Sequence, residues 1–159
     1  MNLPKFIARD SFYVVGLAIE TKNEIEMTEN RKIPEVWETY YKEQMSEKIL
    51  NKQVPEVTIA LYSNYESNEN GTYTYAVGVP VDKIAHVPEN MTTFNIPASE
   101  YAVFTTRKGK LSEVIPEAWE YIWKWSKENK RKFTTDFELY DERSIDPNNS
   151  QVDIYIAIG

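Results

Sequence analysis

The chain predicts an α+β domain: a β-α-β-β unit used twice about a pseudo-two-fold axis, with two helices on one face of an antiparallel sheet and a ligand groove between the halves. Three observations carry that expectation. Ile33-Pro34-Glu35-Val36-Trp37-Glu38, with Lys42 four residues on, returns about eighty residues later as Ile115-Pro116-Glu117-Ala118-Trp119-Glu120 with Lys124. A β-branched and aromatic-rich segment stands ahead of each copy, and two more follow each. Polar, turn-rich stretches over 63–71 and 143–150 join those last two segments, as hairpin loops do. The expected repeats cover about 8–82 and 91–159 of one domain spanning 1–159.

The elements follow in order. Tyr13-Val14-Val15-Gly16-Leu17 reads as the first strand. A helix starts near Ile33, where Pro34 is tolerated in the first turn and Ile33, Trp37, Tyr40, Tyr41 and Gln44 keep helical spacing. Residues 57–62 and 72–79 then read as paired strands. In the second half Tyr101-Ala102-Val103-Phe104-Thr105 is the strand, and Leu111, Ile115, Ala118, Ile122 and Trp125 form one apolar helical stripe. Trp119 and Trp123 lie beside that stripe, Ser112 and Glu113 suit an N-terminal turn, and the helix is expected to fray near Asn129. Residues 137–142 and 151–158 are the closing strands.

Composition excludes several functions. With 159 residues the chain suits one domain with a real core. No apolar run approaches the roughly 18 residues of a membrane span, and no leader pattern is apparent, so a cytoplasmic address is expected. Cysteine is absent, which removes both a disulfide framework and a thiolate nucleophile. A net charge of -7 argues against a nucleic-acid surface. The one dense basic run, 127–132, falls where the second helix ends and reads as cations complementing the helix dipole.

Alternation selects the groove residues. Phe137 and Leu139 share one face of their strand, with Glu138, Tyr140 and Glu142 on the other. Val152, Ile154, Ile156 and Ile158 share a face, leaving Asp153, Tyr155 and Ala157 opposite. Placing the aliphatic faces under the helices puts Glu138, Tyr140 and Tyr155 together on the far face. Tyr62, Tyr73 and Tyr75 echo the pattern in the first half, among 11 tyrosines in all. Tyrosine rings offer an electron-rich face to a cation and apolar area to hydrocarbon. One carboxylate among them supplies a counter-charge in poorly hydrated surroundings. The mixture suits loose binding of bulky organic cations. The candidate ligand-binding set is Glu138, Tyr62, Tyr140, Trp37, Trp119, Tyr75 and Tyr155.

Thr92-Thr93-Phe94-Asn95-Ile96-Pro97-Ala98-Ser99-Glu100-Tyr101, the Ile115-Pro116-Glu117-Ala118-Trp119 helix and Asp136-Phe137-Glu138-Leu139-Tyr140-Asp141 occur in that order. Together they resemble the GyrI-like small-molecule-binding family, also known as the effector-binding domains of AraC- and MerR-type transcription activators. The resemblance runs from Tyr13 to Ile158. It implies the duplicated fold, a ligand groove along the axis, and Glu138 on the groove floor as the family's pocket glutamate. Regulators of this family carry a DNA-binding helical region ahead of the domain. Here Tyr13 already reads as strand, so a stand-alone bacterial copy without direct nucleic-acid contact is expected.

The leading reading is a non-catalytic binder of lipophilic, cationic aromatic compounds, with no cofactor, no metal and no membrane partner. A second is a hydrolase of small reactive electrophiles with Glu138 as general base. A third is an acidic inhibitor that docks on another protein, in the manner of gyrase inhibitors. His86 is the lone histidine and falls in a connector, so no nucleophilic triad is in prospect.

Overall fold

Eight strands pair antiparallel in the order β1-β6-β8-β7-β3-β4-β2-β5. In chain order they are β1 (Lys5–Arg9), β2 (Phe12–Lys22), β3 (Thr58–Ser63), β4 (Thr72–Val81), β5 (Thr92–Ile96), β6 (Ser99–Thr105), β7 (Thr135–Tyr140) and β8 (Asp153–Ala157). The helices are α1 (Asn23–Glu26), α2 (Ile33–Lys42) and α3 (Leu111–Trp125). A computed structural model describes residues 3–159. Outward from the centre the order reads β3, β4, β2, β5 one way and β7, β8, β6, β1 the other. That is the pseudo-two-fold arrangement, with its axis between β3 and β7.

The outermost strands are additions to the expected unit. β1 pairs with β6 and β5 pairs with β2, so each half lends its leading strand to the other half's edge. Their chain neighbours lie at the opposite end of the order: β1 and β2 are six strand positions apart, about 29 Å in a flat sheet. Yet only Asp10 and Ser11 join them, a link that reaches at most about 11 Å. Pro97 and Ala98 join β5 to β6 in the same way. The sheet therefore has to curl until its ends approach.

The curl builds two cores. Inside it lie Phe12, Val14, Ile59, Leu61, Phe94, Tyr101 and Phe137, all buried. Phe12 on β2 meets Phe137 on β7 edge-on at 5.4 Å between centroids, although two strands separate theirs. The Arg9 guanidinium covers the Phe12 ring at 4.6 Å. Outside the curl, α2 packs Val36 and Tyr40 over Ala60, Tyr75 and Val77. On the same outer face α3 packs Ala118, Trp119 and Ile122 over Ala102, Phe104, Ile154 and Ile156. The two central strands, β3 and β7, lie between the helices. Gly16 and Gly78 face each other across β2 and β4. A Cβ on either would stand 2.3 or 2.2 Å from a backbone carbonyl oxygen, so only glycine permits this approach.

Both helices begin without a side-chain cap of their own. For α2 the need is met from a distance: Glu26 Oε1 accepts the Ile33 amide at 3.0 Å, and its carboxylate also accepts the Lys32 amide. α3 ends at Trp125, one turn earlier than the expected fraying at Asn129. Among the described residues no helix is long and apolar enough to cross a membrane.

Candidate functional site

The register of the central pair sets the floor. Ala60 on β3 is the direct partner of Glu138 on β7. Residues opposite each other share a face, so an alanine methyl and a carboxylate meet beside the axis on the outer face. The two halves differ here: the position that holds Ala60 in one half holds Glu138 in the other. The small side chain leaves the room that the larger one occupies.

Glu138 is buried, at 2 % exposure, and three donors hold it. Trp119 Nε1 and the Tyr62 hydroxyl both donate to Oε2, at 2.7 and 2.8 Å, and the Tyr140 hydroxyl donates to Oε1 at 2.6 Å. A carboxylate has about four acceptor positions, so the protein fills all but one. Burial pushes the Glu138 carboxyl above the ordinary carboxylate range, and the donors Tyr140, Trp119 and Tyr62 pull it back only in part. Burial and the neighbouring Glu138 charge push the Tyr62, Tyr75 and Tyr140 phenols well up, so they remain donors at neutral pH.

Rings from both halves form the walls, in crossed pairs. Trp37 of α2 meets Tyr140 of the other half edge-on at 4.9 Å, and Trp119 of α3 meets Tyr62 at 5.0 Å. Trp37 Nε1 donates to the Tyr75 hydroxyl at 2.7 Å, the counterpart of the Trp119–Glu138 bond. Tyr75 in turn packs against Tyr62 at 5.1 Å. These residues enclose a cavity of about 490 Å³ that opens between α2 and α3. Asn23, Glu26 and Met27 reach its mouth from the α1 segment, and Glu69 and Glu120 add carboxylates there.

Six of the seven residues selected from the sequence line this one cavity: Glu138, Tyr62, Tyr140, Trp37, Trp119 and Tyr75. Tyr155 does not. It lies inside the curl, stacked on Phe137 at 4.5 Å with ring planes 11° apart. The grouping of Glu138 and Tyr140 with Tyr155 on a face away from the helices is therefore corrected. Glu138 pairs with Ile154, so both point to the outer, helix-bearing face, while Phe137 and Tyr155 pair and point inward. Alternation sorts residues within a strand, and only register says which sets of two strands coincide.

Several lining residues escaped the sequence reading. Trp123 stands one turn beyond Trp119, and its position beside the apolar stripe was a usable signal. Tyr65 comes from the 63–71 loop, where no periodicity operates. Arg131 belongs to the basic run read as complementing the helix dipole, yet its side chain is 2 % exposed and paired with Asp136 at 2.7 Å. His86 is exposed and lies outside the cavity lining. Among the described residues no cluster of His, Cys, Asp and Glu could hold a metal ion.

A curled eight-stranded sheet with two symmetry-related helices and a cavity over its central strands defines a GyrI-like effector-binding domain. The match to a family model over residues 5–158 is direct: the chain belongs to the Cass2 family of integron-associated effector binding proteins. It is 43 % identical over 143 residues to YobU of Bacillus subtilis, whose name places it among transcriptional regulators, covering 90 % of this chain and 89 % of that one. The integron cassette protein VCH_CASS2 of Vibrio cholerae superposes with a TM-score of 0.78 at 26 % identity, covering 99 % of this chain and 96 % of that one. SAV2435, solved bound to tetraphenylphosphonium, superposes with a TM-score of 0.80 at 18 % identity, covering 100 % of this chain and 94 % of that one. That last likeness shows the fold.

Proposed function

We propose that this protein binds lipophilic organic cations in the cavity between α2 and α3, with Glu138 as counter-charge and Tyr62, Tyr75, Tyr140, Trp37 and Trp119 as walls. The observation that carries the reading is the state of the carboxylate. Glu138 is buried without a cationic partner among the described residues, and three of its acceptor positions are already taken by the protein. A buried charge held this way costs stability unless something of opposite sign enters. The ligand need not bring hydrogen-bond donors, because the floor recognises charge more than N–H groups. Quaternary and other onium ions fit that description, and the ring faces attract them as well. The bound ligand of the similarly folded SAV2435 is such an ion.

The protein then acts by holding the compound, with no bond made or broken. Titration calorimetry with tetraphenylphosphonium tests this. Saturable one-site heat, a rise in melting temperature and unchanged compound on recovery are expected. Absence of binding across a panel of arylphosphonium and quaternary ammonium ions contradicts it. Turnover of an electrophile that Glu138→Gln abolishes would favour the hydrolase reading instead.

A further inference from the structure

Arg131 is the residue the cation reading leaves without a task. It lines the same cavity, and Nη2 donates to Asp136 Oδ2 at 2.7 Å. Its Nε and Nη1 are shielded from water and find no hydrogen-bond partner among the described residues. Buried donors in this state are uncommon and costly, and each asks for an explanation. Asp136 leaves them unmet: its Oδ2 accepts Nη2 and the Tyr65 hydroxyl, and its Oδ1 accepts the Ala157 amide. The guanidinium packs instead against the Phe133 ring, 4.3 Å from Cζ, with Phe133 itself in the left-handed backbone region at φ 55°. Such a conformation costs an aromatic residue energy and persists only where the surroundings impose it.

We propose that Arg131 forms a second pole of the cavity, a donor site for a neutral hydrogen-bond acceptor, so that the preferred ligand is a lipophilic cation bearing a carbonyl, ester or amide group. This rests on the cation reading and sharpens it. The two poles share one indole: Trp119 donates to Glu138, and its ring centroid lies 6.0 Å from Arg131 Cζ. A single aromatic molecule lying along Trp119 meets both. The acceptor is neutral because Asp136 already balances the guanidinium charge, while Glu138 and the carboxylates of Glu26, Glu69 and Glu120 keep the cavity negative. An anionic group would gain the Arg131 hydrogen bonds and meet that field. Because Nε and Nη1 are shielded in this arrangement, engagement requires the guanidinium to turn about its Asp136 bond, off the Phe133 ring and toward the cavity.

Three benzyltriphenylphosphonium ions test the proposal, with a methyl ester, a propyl group or a carboxylate at the para position. All carry the same cation, and the propyl compound matches the ester in bulk. Calorimetry on the intact protein is expected to show the ester binding roughly 3- to 10-fold tighter than the propyl compound, the worth of one hydrogen bond, with the carboxylate no tighter than propyl. Arg131→Lys keeps a cation beside Asp136 and removes the planar donors. It is expected to erase the ester preference and leave propyl affinity within about twofold. Equal binding of ester and propyl compounds by the unaltered protein overturns the second pole while the cation reading stands. The carboxylate binding tightest overturns the choice of a neutral acceptor. Failure of all three to bind overturns the cation reading and this inference with it.

Discussion

Replacing Glu138 with glutamine deletes the charge and nearly keeps the shape. The amide oxygen can take the Oε2 place and accept from Trp119 and Tyr62, which now donate there at 2.7 and 2.8 Å. The amide nitrogen then faces the Tyr140 hydroxyl, which can reverse and accept. The floor stays hydrogen-bonded, so the change isolates electrostatics. An onium centre about 5 Å from the carboxylate gains about 3 kcal/mol at an effective dielectric of about 20. Desolvation and the residual amide dipole reduce the measurable loss to about 1–3 kcal/mol, or roughly 5- to 150-fold in Kd. Calorimetric titration of tetraphenylphosphonium and of neutral triphenylmethanol into both proteins reads this out. Glu138→Gln is expected to weaken the cation selectively and leave the neutral compound within about twofold. Parallel loss for both ligands would refute the reasoning, because shape alone would then govern binding.

Further outcomes follow from the same geometry. Burial holds the Glu138 carboxyl above its unfolded value, so the native protein binds the proton more tightly than the unfolded chain. Its contribution to stability is therefore present at low pH and is lost as pH rises through the native pKa; urea melts of Glu138→Gln should lack that loss. Tyr62→Phe removes one donor from the carboxylate, and should raise its pKa further and cost about 1–3 kcal/mol of stability in urea melts. Ala60→Glu sets a second carboxylate directly opposite Glu138 and should cost about 3 kcal/mol or more, with loss of cation binding by calorimetry. Gly78→Ala drives a methyl into the Val15 carbonyl and should cost about 3 kcal/mol or more in the same melts.

The duplicated helix motif made the architecture legible, because Trp37 and Trp119 mark equivalent turns and the strands fall into place around them. β1 and β5 were harder. Lys5-Phe6-Ile7-Ala8-Arg9 is short and mostly exposed, and its partner β6 lies far along the chain, so its sequence shows no sign of pairing. Alternation within β7 set Glu138 and Tyr140 together, but they lie on the helix-bearing face, whereas Tyr155 lies on the face away from the helices as expected and so falls outside the cavity. Which faces of β7 and β8 coincide depends on the register between them. Arg131 illustrates a different limit. Nothing in Lys-Glu-Asn-Lys-Arg-Lys distinguishes the one cation that turns inward, since its burial depends on Asp136 and Phe133 arriving from the following turn.

The central claim is that a buried Glu138 charge selects the ligand, and its own titration tests that most directly. Carbon-13 NMR of the side-chain carboxyl can follow pH in the free protein and with tetraphenylphosphonium at saturation. The free carboxyl is expected to titrate above the ordinary glutamate value of about 4.3, and the bound cation to pull that value down by the same free energy with which ionisation tightens binding. A carboxyl that titrates identically with and without the cation contradicts the account.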